Sequence, residues 1–145
     1  MSIIIKFFIA PDDTSAAGIV DSGPDGVFCS LTCGNFDASE AVIEWENLLT
    51  GQSFEELVAS DEPHTVADTG EEGSPLLFVI SGALQGTLAG ASAARLAEVG
   101  ELWIQERAAE GEVFDPEVVA ELLSDLADLA RTADGRGQGV YCWMA

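Results

Sequence analysis

Chemistry in a protein needs groups that take a proton, attack a carbonyl or hold a metal, and this chain offers one histidine and three cysteines for it. A thiol becomes a useful nucleophile beside a base, so His64 with Cys29, Cys33 or Cys142 is the first combination to weigh. His64 follows Pro63 in a polar stretch, and no local pattern joins it to a thiol. It reads as a solvated loop histidine, and the cysteines as small buried side chains. "CSLTC" separates Cys29 from Cys33 by three residues, whereas structural zinc sites show two tighter ligand pairs. No metal is expected. Glu44 and Glu46 flank Trp45, but a general acid would need burial to raise its pKa. Beside a core tryptophan they read as two exposed acids.

Glycine-rich turns are the other place to look. "SGALQGTLAG" stands between a strand and a helix, the right context for a phosphate cradle. Its glycines, Gly82, Gly86 and Gly90, recur every four residues, and no Lys-Ser/Thr follows them, so neither phosphate-binding pattern is met. It reads as a tight connection where backbones pack closely. "GRGQG" precedes a strand, offers an anion no helix N-terminus, and reads as a helix stop at Gly135 followed by a turn. No cofactor is expected.

One charged pattern is ordered. On a helix after Asp115 and Pro116, Glu117, Glu121, Asp125 and Asp128 fall within ~80° of one another and span ~16 Å, about one charge per 5.5 Å. Val118, Val119, Leu122, Leu123, Leu126 and Leu129 line the other side. Like charges at this spacing cost ~0.2–0.5 kcal/mol per pair. A DNA strand carries a charge every ~3.4 Å, so the ridge is too sparse to imitate one. It suits docking of a basic protein if other helices add charge. "ASEAVIEWENLLTGQSFEELVASDE" (38–62) adds seven carboxylates without a lysine or arginine. There Val42, Trp45 and Leu49 form the inner face, and Glu40 and Glu44 the solvated one, which makes these two acids candidate partner contacts together with the ridge.

The elements that carry these groups can be placed. "SIIIKFFIA" and "PLLFVIS" are nearly continuous apolar runs, so they read as strands of one sheet covered on both faces. "GVFCSLTC" and "GVYCWMA" suggest further strands, and "DDTSAAGIVDSG" a short helix before a turn at Gly23 and Pro24. Asp37 with Glu40, and Ser53 with Glu56, mark helix starts, and Gly51 a stop. "DEPHTVADTGEEGSP" reads as a surface loop. A helix over about 92–109 turns Leu96, Val99, Trp103 and Ile104 inward. The expected fold is a single α+β domain over 1–145, a small mixed sheet packed against amphipathic helices.

Bulk composition narrows the partners. The formal charge is −21, from 26 acids against five bases, and 15 acids but no base lie between Phe7 and Ala94. Such a surface repels phosphate backbones and anionic membranes, so direct nucleic-acid or membrane binding is not expected. With 48% apolar residues the chain can build a core, unlike disordered acidic tails. No apolar run reaches the ~18 residues of a membrane span. "MSIIIKFFIAPDD" lacks the basic start of a signal peptide, and an odd number of cysteines argues against a secreted disulfide framework. A cytoplasmic location is expected. Acidity could also be a general solubility device of a high-salt cell, which leaves a specific basic partner and a bland surface both open.

In this order, the opening strand, the helix closing on Leu48-Leu49-Thr50-Gly51, "FVISGA", "ARLAEVGELW" and the long last helix and short strand resemble the YfbM-like family of small bacterial proteins of unknown function. The resemblance implies an α+β fold and brings no enzymatic activity with it. The family's usual helix tryptophan falls at Val42, and its basic and histidine residues in that helix are replaced by Glu40, Glu44 and Glu46. Two functions stay open. One is a non-catalytic acidic interaction protein, such as an immunity protein or inhibitor of a basic partner. The other is a small-molecule pocket or minor enzyme using carboxylates near Trp45 and Trp103.

Overall fold

The computed structural model describes residues 4–20, 23–24, 28, 30–34, 36–60, 64–68 and 75–145. The opening apolar run becomes β1 (Ile4–Ala10), and the last strand, β5 (Gly139–Met144), pairs with it. β2 (Ser30–Gly34) lies outside β1, β4 (Leu76–Val79) beside β5, and β3 (His64–Asp68) outside β4, in the order β2-β1-β5-β4-β3. All four pairings are antiparallel, where the sequence suggests a mixed sheet. β1 and β4 share the sheet as expected, with β5 between them.

The continuous apolar character of β1 follows from cover on both faces. Ile5, Phe7 and Ile9 join the core beneath the large helices, while Phe8 and Ala10 pack with Tyr141, Trp143 and Ala16 of the short helix α1 (Asp13–Ala17) on the other face. α2 (Ala38–Thr50) starts where Asp37 accepts from the backbone N–H of Ser39 and Glu40, and it stops at Gly51, whose φ of 79° suits glycine. α3 (Phe54–Ala59) is capped by Ser53, and α5 (Ala93–Ala109) by Ser92.

Four expectations are corrected. "GALQGTLAG" is a helix, α4 (Gly82–Gly90), started by the Ser81 hydroxyl accepting from Leu84. A Cβ added at Gly82, Gly86 or Gly90 would meet nothing within 4 Å, so these glycines serve no close backbone approach. α6 (Pro116–Arg136) runs through Gly135 and ends at Gly137, where φ is 66°. "HTVAD" is β3, an exposed edge strand whose register shifts between Thr65 and Ala67, and its polar flanks make it read as loop. Val118 is 61% exposed, outside the apolar face assigned to it.

Trp45 and Trp103 are enclosed, at 0% and 1% exposure. Their rings meet edge to face at 5.4 Å, Phe36 sets its edge against both, and Phe114 stacks on Trp103 at 4.8 Å. Trp103→Ala is expected to cost ~3–5 kcal/mol, lowering Tm by roughly 10–20 °C in a thermal melt, whereas Leu102→Ala, next to it on the surface, should change Tm little. Gly86→Ala, mid-helix with open space around it, should raise stability by ~0.5–1 kcal/mol in urea titration. A loss of stability there would show that the space is filled.

Candidate functional site

The acids of α2 do not all face water. Glu44 Oε1 accepts from Arg107 Nη1 at 2.9 Å and from Trp103 Nε1 at 3.2 Å. Arg107 and Glu44 side chains retain only 11% and 14% exposure, which corrects the solvated-face reading of Glu44. The guanidinium also meets Glu40 at 3.3 Å and Glu112 at 2.8 Å, both near half exposure. Three carboxylates therefore share one fork of donors. Burial pushes the Glu44 carboxyl above its ordinary range, against the pull of Trp103 and Arg107. The bond to Glu112, with the neighbouring negative charges, holds Arg107 firmly protonated. Glu46 is 3% exposed and accepts from the Ser81 hydroxyl. Neither acid beside Trp45 is the exposed group expected. Both indole rings are closed off by packing, so the carboxylates near them face side chains and no open ring. The signal for this cluster lay in α5, where Trp103 and Arg107 are four residues apart on one face.

The ridge on α6 is different. Glu117 and Glu121 are exposed, Asp125 is half-buried, and Asp128 is exposed and bonds Arg131 at 2.7 Å. Between α6 and β2 lie two adjoining cavities. One of about 340 Å³ is lined by Leu31, Thr32, Val118, Glu121, Leu122 and Asp125. The next, of about 310 Å³, continues past Leu31 and Asp125 to Asp128, Leu129, Thr132 and Arg136, with Ser30 and Ile9 opposite. Together they form a groove with an apolar floor and carboxylates along the helix wall. Glu121, Asp125 and Asp128 share it. Glu117 lies on the ridge beyond its lining, and Glu40 and Glu44 belong to the Arg107 cluster. Sequence alone could place these acids on one helix face, but not β2 beneath them.

The catalytic combinations do not assemble among the described residues. His64 is exposed on β3, β4 intervenes, and Cys142 in β5 is fully buried. Cys29 and the Cys33 side chain lie outside the described residues. Among the described residues no group of three or more His, Cys, Asp or Glu could hold a metal ion, and no helix is long and apolar enough to cross a membrane.

An antiparallel five-stranded sheet under helices, with an acid-lined groove at one edge, defines a small α+β domain without an assembled catalytic centre among the described residues. The structure is similar to that of YfbM from Escherichia coli, a protein of unknown function, with a TM-score of 0.50 and 12% identity over 98% of this chain and 99% of that one. The resemblance expected from sequence therefore holds at the level of fold. No family model matches the chain, and no curated protein matches it.

The Glu44 geometry carries a pH dependence. A carboxyl whose folded pKa is raised binds its proton more tightly in the native state than when unfolded. Its contribution is present below the ordinary carboxyl value of 4.5 and is lost as pH rises through the raised folded value. The Tm difference between wild type and Glu44→Gln should therefore fall as pH climbs through that window. A difference that rises with pH would mean that the pairing with Arg107 outweighs burial.

Proposed function

We propose that this is a non-catalytic acidic interaction protein of the bacterial cytoplasm, of the immunity or inhibitor kind, that binds a basic protein partner along the α6 ridge. The observation that carries this reading is the groove, because Glu121, Asp125 and Asp128 stand beside an apolar floor and are not scattered over a convex surface. Carboxylates at a concave wall focus negative potential toward an incoming cation, and the apolar floor supplies area to bury. Glu117 extends the field by one helical turn, and Glu40 adds charge from the rim of the Arg107 cluster. Glu44, a candidate contact from sequence, contributes less to this field, since its charge is engaged by Arg107 within the fold.

Electrostatic docking chiefly speeds encounter and fades with salt, because the screening length is ~8 Å at physiological ionic strength. The test is capture from host lysate at low and high salt, followed by rate measurements with the identified partner. Wild type is compared with a variant carrying Glu117→Gln, Glu121→Gln, Asp125→Asn and Asp128→Asn. The variant should fold as well as wild type or slightly better, since repulsion along the helix is relieved. It should associate about tenfold more slowly at low salt, and the two rates should converge at high salt. Equal rates at low salt would leave the ridge as a solvated surface.

A further inference from the structure

We infer that the partner segment is an extended basic strand that adds to the outer edge of β2, an inference that rests on the acidic-groove reading and specifies how the groove is filled. The direction of the peptide groups fixes the edge. Ile4 exchanges both backbone bonds with Ala145, each 2.9 Å. Alternation along β1 then turns Ile5 and Phe7 toward β2, where they stand opposite Cys33 and Leu31. Thr32, between those two, directs its N–H and C=O away from β1, and no strand among the described residues lies on that side. Thr32 is exposed. The outer edge of β2 is therefore a strand template.

The groove also matches such a strand in direction, face and charge. From Thr32 back to Ser30 the lining of α6 advances from Val118 to Arg136, so the helix runs alongside β2 in the opposite sense. Leu31 shares the face of Phe7, on the helix side of the sheet, and packs against its core. An added residue beside Leu31 points its side chain to that same side, toward Asp125. Alternate residues of a strand repeat every ~6.8 Å, and acids four apart on a helix every ~6 Å. Lysine or arginine at every second position meets Glu121 and then Asp125, and Asp128, three residues and ~4.5 Å further along the helix, adds charge beside the second of them. The opposite edge offers no such fit, since β3 is bulged between Thr65 and Ala67.

The probe is a capped heptapeptide alternating lysine and valine, with an analogue N-methylated along its backbone, followed by NMR titration and amide exchange on the intact protein. The parent peptide should bind in low salt and slow exchange of the Thr32 amide by about tenfold, while the methylated analogue should bind about tenfold more weakly, the scale of one or two backbone hydrogen bonds. Thr32→Pro removes an N–H that faces outward, which an edge strand tolerates. With its melting curve checked against wild type, it should weaken the parent peptide by a similar factor. If parent and methylated peptides bind equally, Thr32 exchange stays unchanged and Asp125→Asn weakens both, strand addition is overturned and the acidic groove survives. If neither peptide binds, or the four-acid variant binds as well as wild type, the groove reading fails and this inference with it.

Discussion

A chain with 26 acids and five bases folds against its own repulsion, and where its few cations sit decides which acids stay available. Three of the four arginines bridge elements. Arg107 ties α5 to Glu40 and Glu44 of α2. Arg95 pairs with Glu98 and donates to the Leu48 carbonyl at the end of α2. Arg131 pairs with Asp128 and donates to the carbonyls of Ala89 and Ala91, where α4 ends. Neither α2 nor α4 has a base in its own last turn. Arginines from neighbouring helices meet those exposed carbonyls, where positive charge is favoured. Compensation is thereby concentrated at the joints between helices, and most of the α6 ridge is left to face outward.

The same economy of side chains governs α4. Its glycines give it little to pack with on the outer side, so polar bonds help fix it. Buried Gln85 donates to Asp134 and to the carbonyl of Gln138, and its own oxygen accepts from the Val140 N–H. Ser81 donates to Glu46 on α2 while accepting from Leu84 at the start of α4. A buried polar group is stable only when its partners are present, so these bonds fix the position of α4 against α2, α6 and β5. Packed against α4 and α5, α6 also lies along β1 and β2.

How much of this was legible depended on range. β1, α2, α3, α5 and the α6 start followed from local pattern: apolar runs, Asp37, Ser53, and Asp115 with Pro116. α4 was hidden because three glycines outweigh one serine cap in any local reading, and the helix is retained by Gln85 and Ser81, whose partners lie far along the chain. β3 was hidden because an exposed edge strand needs little apolar alternation. Glu44 and Glu46 read as exposed acids because the groups that hold them are distant in sequence. Arg107 lies 63 residues from Glu44, and Ser81 lies 35 from Glu46, so no local spacing announces either pair. The α6 acids were legible as a ridge, while the groove required knowing that β2 lies beneath them.

That juxtaposition gives the acidity a second consequence at the same place. An open antiparallel edge invites pairing with any extended chain, including the β2 edge of another copy. Two copies meeting there would bring two sets of Glu121, Asp125 and Asp128 toward each other, and like charges oppose that approach. A strand bearing lysine or arginine at alternate positions meets the reverse balance, with attraction along the helix wall and the Thr32 peptide group open below it. On the proposed reading, the carboxylates beside β2 would discriminate by sign between two partners that the backbone alone could not tell apart. On the other edge the strand is bulged between Thr65 and Ala67, which limits pairing by geometry. The two edges of the sheet thus differ in kind, and on the proposed reading the one beside the acids is the one that a basic strand would join.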